Sequence, residues 1–148
     1  MNKIIAIAQK EIGYTESPAG SNRTKYGEWF GLNGAPWCGV FVSWAYAQGG
    51  RPLGNIGFLK GFAGCQTAVE YFRKTGQITT EPEPDDIVFF DWNGDGVYEH
   101  TGLFVRHINE GYFKTIEGNT SLSNQSNGGE VMERTRRYKG ALFVKVKR

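Results

Sequence analysis

Cys38 is the residue best placed for nucleophilic chemistry in this sequence of 148 residues, which holds two cysteines and two histidines. It lies between Trp37 and Gly39 at the first turn of a predicted helix. The unpaired N–H groups and the positive dipole end of a helix N-terminus stabilise a thiolate. A cysteine in an apolar stretch can also be an inert core residue. Position alone therefore leaves both interpretations open.

His100 could supply the base that such a thiol needs. It begins a predicted strand that turns at residues 109–111 and returns as a second strand. A three-residue loop with a left-handed glycine would pair Thr101 with Asn119 and bring His100 beside that pair. Glu117 and Asn119 are two residues apart and should share one strand face. The hairpin therefore predicts a nucleophile, a base and an orienting group that holds the imidazole in one tautomer.

The other cysteine and the other histidine have simpler interpretations. Cys65 follows Gly64 in a predicted loop ahead of a helix, and we interpret it as a small buried apolar residue. His107 lies seven residues after His100, on the opposite strand face, and is interpreted as a structural or surface histidine. We therefore assign Cys38 to chemistry and Cys65 to packing, and do not treat them as a disulfide pair.

Residues 91–99 form an acidic loop that matches the first three-quarters of an EF-hand calcium loop. Side-chain oxygens occupy positions 1, 3, 5 and 9, glycine occupies position 6, and position 7 offers its carbonyl. Position 12 is Gly102 instead of a bidentate glutamate, and an Asn-Gly-Asp-Gly hairpin turn needs no metal. Such closely packed oxygens would repel one another without a cation, so we predict bound calcium. No organic cofactor is predicted. The predicted ligands are Asp91, Asn93, Asp95, Val97 and Glu99.

Length and composition favour one globular domain over residues 1–148. An aromatic content of 14% excludes a disordered chain, and a net charge of +2 argues against a dedicated nucleic-acid binder. Residues 81–99 hold seven acidic side chains, whereas residues 130–148 hold seven basic ones. We interpret the basic end as a solvated edge strand guarded by charge, with attraction to a polyanionic surface as the alternative. No apolar run approaches the ~20 residues of a membrane-spanning helix, so membrane insertion is not expected.

Apolar spacing divides the chain into helices followed by strands. The first helix, capped by Asn2 and ended by Gly13, has an apolar face made of Ile4, Ile5, Ala8 and Ile12. Further helices are predicted at 25–30, from the 34–38 segment to residue 48, and at 66–75. Period-two alternation predicts strands at 87–92, 99–108, 112–117, 131–138 and 141–146. This order is typical of an α+β domain whose N-terminal helices pack on a C-terminal antiparallel sheet of about five strands.

Four segments that occur in a fixed order carry a resemblance. They are Trp37–Trp44 (WCGVFVSW), Asp86–Phe90 (DIVFF), His100–Gly102 (HTG) and Ile116–Thr120 (IEGNT). Together they resemble the CHAP family, the cysteine, histidine-dependent amidohydrolases and peptidases of bacterial cell walls and phage endolysins. That family is related to NlpC/P60 and papain-like proteins. The likeness runs from the first helix to about residue 146 and implies a papain-like fold.

The resemblance implies that Cys38 is the nucleophile and His100 the general base and then acid. Glu117 would orient the imidazole, and Asn119 would be an auxiliary polar group in the same cleft. The implied reaction is acyl transfer from an amide of peptidoglycan, by an N-acetylmuramoyl-L-alanine amidase or an endopeptidase. Two alternatives remain: a non-catalytic, calcium-dependent wall-binding module that keeps the fold, and a papain-like protease or deamidase that acts on protein.

Peptidoglycan is the partner that the resemblance implies. It would be reached through the basic C-terminal strand or through a separate cell-wall-binding domain or subunit. The start of the chain has only five consecutive apolar residues, fewer than a signal peptide requires. This predicts a protein made in the cytoplasm that reaches the wall through a membrane pore, as a phage lysin does, and it fits an excised domain equally well.

Overall fold

Helices come first along the chain and strands follow, as predicted. In the computed structural model, which describes residues 3–147, the helices are α1 (Lys3–Gln9), α2 (Lys25–Phe30), α3 (Cys38–Gln48) and α4 (Cys65–Lys74). The strands are β1 (Ile78–Thr79), β2 (Ile87–Phe90), β3 (His100–Asn109), β4 (Tyr112–Thr120), β5 (Glu130–Arg137) and β6 (Ala141–Val144). They form an antiparallel sheet in the order β1-β6-β2-β3-β4-β5. The α+β prediction is confirmed, and within the described residues the short β1 adds a strand to the five predicted. No helix in this part of the chain is long and apolar enough to span a membrane.

The first helix is shorter than predicted. Its other apolar positions are buried, but α1 ends at Gln9 and Ile12 is 44% exposed, so the placement of Ile12 on the buried face is wrong. The reason is a tertiary contact: the Gly13 N–H donates to the Val131 carbonyl of β5 at 2.9 Å, and the chain turns away to make it. The predicted cap Asn2 lies outside the described residues.

α3 is buried on nearly all sides, as expected for a helix that packs against several elements. It contacts α1, α2, β3 and β4. Two glycines permit close approaches around this helix, one to the loop before α4 and one to β4. A Cβ on Gly39 would lie 2.8 Å from the Phe62 ring, and a Cβ on Gly118 in β4 would lie 2.7 Å from Phe41. The N-terminal end of α3 is therefore held against the strands that carry the other predicted site residues.

Apolar side chains cover both faces of the sheet. Because side chains alternate along a strand, Ile87 and Phe89 of β2 join the core beneath the helices, while their neighbours join a second cluster. That second cluster consists of Val88, Phe90, Phe104, Phe113 and Phe143. The central strands are thus fixed from both sides and give the residues at their ends a rigid support.

The hairpin of β3 and β4 has a different register from the predicted one. Asn109 pairs with Tyr112, which leaves a two-residue turn instead of three. Two irregularities along β3 then bring Leu103 opposite Ile116. The predicted partner of Thr101 is therefore wrong by one residue. An extra residue at a β-bulge shifts the pairing of every residue beyond it.

Candidate active site

Cys38 is the first residue of α3, so a helix begins at the predicted nucleophile. The first hydrogen bond within the helix runs from the Phe41 N–H to the Trp37 carbonyl. The N–H groups of residues 38–40 therefore precede it and have no acceptor inside the helix. The residue is buried, with 5% of its surface exposed. A sulfur and several N–H donors thus lie together at one helix end, where negative charge is favoured.

His100 begins β3 and is fully buried, with its ring held by several neighbours. Its Nε2 atom lies 2.8 Å from Oε1 of Glu117 in β4. The Phe90 and Trp92 rings stack on the imidazole, with centroid separations of 6.1 and 5.6 Å. These rings shield the hydrogen bond between His100 and Glu117 from water, which strengthens it. The structure thus brings His100 and Glu117 together.

The second ring nitrogen of His100, Nδ1, is buried and has no hydrogen-bond partner among residues 3–147. Because Nε2–H donates to Glu117, Nδ1 is the atom left to face a thiol. The Cys38 sulfur is close enough to raise the pKa of His100. Hydrogen bonds between catalytic groups are often long or poorly aligned without substrate and tighten when it binds.

Arg136 in β5 joins this group, and sequence interpretation missed it. Its Nε donates to Oε2 of Glu117 at 2.8 Å, and a terminal nitrogen contacts Oε1. Thr115 donates its hydroxyl to the same carboxylate at 2.6 Å. The guanidinium also lies 4.8 Å from the Trp92 ring centroid. The expectation of a solvated basic end is therefore wrong for Arg136, which is only 5% exposed.

The need of a buried Glu117 carboxylate for a positively charged partner was the signal that could have led to Arg136. Glu117 pairs with Met132 in β5, and Arg134 and Arg136 share a strand face with Met132. A buried carboxylate needs a cation or several donors. Alternation supplies two arginines, however, and it does not choose between them. In the structure Arg134 donates to the Thr120 hydroxyl instead.

A buried row of charged side chains, the charged row, consists of Arg136, Glu117, His100 and Cys38. Burial alone would raise the pKa of Glu117, but hydrogen bonds from Arg136 and His100 lower it to about 2. Burial alone would lower the pKa of His100, but the adjacent Cys38 sulfur and the hydrogen bond to Glu117 raise it to about 9. A hydrogen bond from Cys65 lowers the pKa of the Cys38 thiol well below its usual range; burial opposes this, and the adjacent His100 adds to it. The row therefore favours a thiolate beside an imidazolium.

Cys65 is the first residue of α4 rather than a loop residue, and it is buried as predicted. Its Sγ atom lies 3.9 Å from Sγ of Cys38, and both thiols are free. The two residues are 27 positions apart, and no sequence signal indicates the contact. It exists because α3 and α4 begin next to each other in the fold.

A model of the CHAP domain family matches residues 30–119, a range that includes Cys38, His100 and Glu117. This chain belongs to the CHAP domain family. It is also similar to the probable endopeptidase p60 of Listeria seeligeri, with 30% identity over 102 residues. The aligned part is 69% of this chain and 15% of the Listeria protein, so the similarity covers only a small part of that relative.

Two other polar residues of the CHAP domain make structural contacts. Asn119 has a left-handed backbone, with φ 59°, beside an irregularity between β4 and β5 that breaks strand alternation. Its amide donates to Asn127 at 2.9 Å and accepts the Gly129 N–H at 3.0 Å. These contacts hold the loop before β5, not the imidazole. His107 is exposed and contacts the Tyr138 hydroxyl, which agrees with its interpretation as a surface histidine.

The acidic loop of the CHAP domain connects β2 to β3. Asp91, Asp95 and Glu99 each offer an oxygen, and these oxygens lie within 4.8 Å of one another. The carboxylates also accept N–H groups of the loop, for example at 2.7 Å from Oδ2 of Asp91. The loop therefore closes through its own hydrogen bonds, and its convergent carboxylates are the oxygen ligands that calcium prefers. Calcium bound here, with Asn93 and Val97 as the other ligands, stays a prediction.

Calcium is expected to raise the Tm of the CHAP domain relative to protein in EGTA. A metal at 100 times its Kd stabilises the folded state by about 2.7 kcal/mol, which corresponds to a rise of about 5 °C or more. Asp95→Asn should remove the rise, whereas Glu81→Gln, which alters an exposed acid outside the loop, should keep it. Equal Tm values in calcium and in EGTA would contradict the prediction.

Proposed function

We propose that this CHAP domain hydrolyses an amide bond of peptidoglycan at the bacterial cell wall. In this proposal Cys38 is the nucleophile, His100 the base and then the acid, and Glu117 the orienting group. The observation that carries the proposal is the charged row, which ends on a cysteine at a helix N-terminus. The Listeria relative, named a probable endopeptidase, favours cleavage within the peptide part of the wall over cleavage of its junction with the sugar.

The first half of the proposed reaction follows from the charges of the row. The Cys38 thiolate attacks the amide carbonyl carbon, a C–S bond forms, and the electron pair of the carbonyl moves to oxygen. The N–H groups at the start of α3 are available to stabilise this oxyanion, and one such donor is worth about 2.7–4 kcal/mol. The His100 imidazolium then gives its proton to the amine, and the C–N bond breaks. A thioester on Cys38 remains.

Water completes the cycle. Neutral His100 takes a proton from a water molecule whose oxygen attacks the thioester carbon, and the C–S bond breaks to release the acid product. The thiolate and imidazolium are thereby restored. Glu117 stays ionised throughout because Arg136 donates to it, so it holds the Nε2–H of His100 and stabilises the positive ring.

The products released from purified cell walls test this proposal. Mass spectrometry of the soluble fragments should show new amino groups, which appear only when an amide is cut. A free N-terminus of the stem peptide would identify an amidase, and an amine within the stem or the cross-bridge would identify an endopeptidase. Protein carrying Cys38→Ser is the negative control and should release no such fragments. Wall binding without any released fragment would overturn the proposal in favour of a binding module, and cleavage of a protein substrate alone would favour a papain-like protease.

The pH dependence of kcat/KM should form a bell that extends unusually far into the alkaline range. The apparent pKa of the acid limb should lie below the usual pKa range of thiols because the pKa of Cys38 is lowered, first by its hydrogen bond from Cys65. The basic limb should lie near the His100 pKa of about 9, because the imidazolium that protonates the amine is lost as pH rises through that value. Initial rates on a soluble muropeptide measure the profile. A basic limb near the ordinary histidine pKa of about 6.5 would contradict it.

A further inference from the structure

Two buried thiols meet at the N-termini of neighbouring helices. Cys38 begins α3 and Cys65 begins α4, with 5% and 7% of the two residues exposed. Their sulfurs are 3.9 Å apart, and neither is oxidised. An S–S bond is much shorter, about 2.05 Å, whereas an S–H···S hydrogen bond has this length. The geometry therefore makes one thiol a donor and the other sulfur its acceptor.

The groups around the two sulfurs decide where the shared proton resides. His100 of β3 and the Gly39 N–H of α3 face Cys38, and both favour a negative sulfur. The pKa of Cys65 is raised well above its usual value by its hydrogen bond with Cys38 and by burial, and the charge of Glu99, directly before β3, adds to this. Two negative sulfurs 3.9 Å apart would also repel strongly in a buried site. The proton therefore stays on Cys65, and the negative charge lies on Cys38.

Contacts of α4 hold the Cys65 thiol in place. The Ala68 N–H donates to the Gly64 carbonyl at 3.2 Å, which fixes the first turn of the helix. The Gln66 side chain accepts the Tyr98 N–H at 2.9 Å. The second contact joins the start of α4 to the segment that leads into His100. The start of α4, which carries Cys65, is thereby tied to the segment before the strand that carries His100.

We propose that Cys65 is a positioning residue of the CHAP site: its S–H donates to the Cys38 sulfur, stabilises the thiolate and fixes the direction of that sulfur. The proposal rests on the proposed function, in which Cys38 is the nucleophile. A thiol is a weak donor to a neutral partner, but a charged acceptor strengthens the bond. Cys65 thus acts on the reaction through Cys38, without touching the substrate.

Labelling of Cys38 by iodoacetamide, followed by intact mass across a range of pH, tests the proposal. Cys65→Ala removes the donor, and labelling is expected to slow about tenfold near pH 6. The rates should converge at alkaline pH, where the thiolate forms in both proteins. Cys65→Ser restores a donor of similar size and should stay within about threefold of wild type throughout. Protein carrying Cys38→Ser should take up no label near pH 6, because Cys65 keeps its proton.

Cys65→Val fills the same space without a donor and should behave like Cys65→Ala, which separates loss of the donor from a cavity effect. Labelling profiles of both non-donor variants that coincide with wild type would overturn the proposal and leave a packing contact. Labelling reports on the sulfur itself and not on wall hydrolysis. If the wild-type protein releases no wall fragments, but labelling of Cys38 still slows when Cys65 is replaced by a non-donor, only the proposed function is overturned.

Discussion

Cys38→Ser is expected to lower the rate of cell-wall hydrolysis by about a thousand-fold or more, since loss of a nucleophile removes the combined action of the whole catalytic group. A serine hydroxyl stays protonated at neutral pH, so the ion pair with His100 cannot form. The oxygen is smaller than the sulfur but fits the same buried site at the start of α3. Clearing of a suspension of purified walls measures the rate, and sedimentation with walls shows whether binding is kept.

The two histidines provide a matched pair for this prediction. His100→Gln should reduce wall clearing nearly as far as Cys38→Ser, because it removes the proton carrier of the same step. His107→Gln makes the same chemical change on the exposed part of β3 and should leave clearing unchanged. A tenth or more of the wild-type rate in Cys38→Ser would show that another residue is the nucleophile. Equal losses in both histidine variants would show a general effect on folding.

Local signals were sufficient to predict the fold class and a helix that begins beside Cys38. The apolar spacing predicts a helix that opens within residues 34–38, and the helix begins at Cys38; this pattern depends only on near neighbours in the chain. The change of period after the helices likewise predicts an antiparallel sheet with His100 at the start of one strand. These features follow from backbone geometry and from burial of one face, which a sequence pattern records directly.

Contacts between distant segments could not be predicted in this way. The bulges of β3 have no local sequence signal, so the predicted partner of Thr101 was displaced by one residue. Arg136 of β5 reaches diagonally to Glu117, which lies on the neighbouring strand β4 and pairs with Met132 in the sheet. A long, flexible side chain can span such a diagonal, so no fixed sequence spacing predicts the contact. Cys65 meets Cys38 only once the fold has brought the first residues of α3 and α4 together. Each of these contacts depends on tertiary packing rather than on local pattern.

Arg136→Met is expected to destabilise the CHAP domain by about 3–5 kcal/mol, because it leaves the Glu117 carboxylate buried without its cation. Methionine keeps most of the length and the apolar contact with Trp92 but donates no hydrogen bond. Glu117 can escape the cost only by taking up a proton, and His100 would then lose its charged partner. Replacing the triad carboxylate by an amide costs about 10⁴ in the rate of a serine protease, so wall clearing should fall by at least about 100-fold. Urea unfolding and wall clearing measure the two effects.

Acid should reveal the same ion pair in the wild-type protein. The folded-state pKa of Glu117 is lowered to about 2, below the unfolded value of about 4.3. The ionised carboxylate therefore stabilises the fold above the unfolded pKa, by about 3 kcal/mol, and this contribution is lost as pH falls toward 2. In Arg136→Met the pKa of Glu117 is no longer held down, so the free energy of unfolding should decline less steeply over this acid range. Parallel declines in the two proteins would contradict the assignment.

Arg137→Met is the control that separates a buried ion pair from loss of a basic residue on β5. Arg137 neighbours Arg136 but is exposed, with its guanidinium 5.6 Å from the Tyr112 ring centroid. Its replacement should change stability by no more than about 0.5 kcal/mol and leave wall clearing intact. The double variant Glu117→Gln with Arg136→Met should be less destabilised than the sum of the single changes. Each single change leaves one charge buried without its partner, whereas the double change removes both charges. Additive losses would mean that the two side chains support the sheet separately, and Arg136 would then have no part in keeping Glu117 charged beside His100.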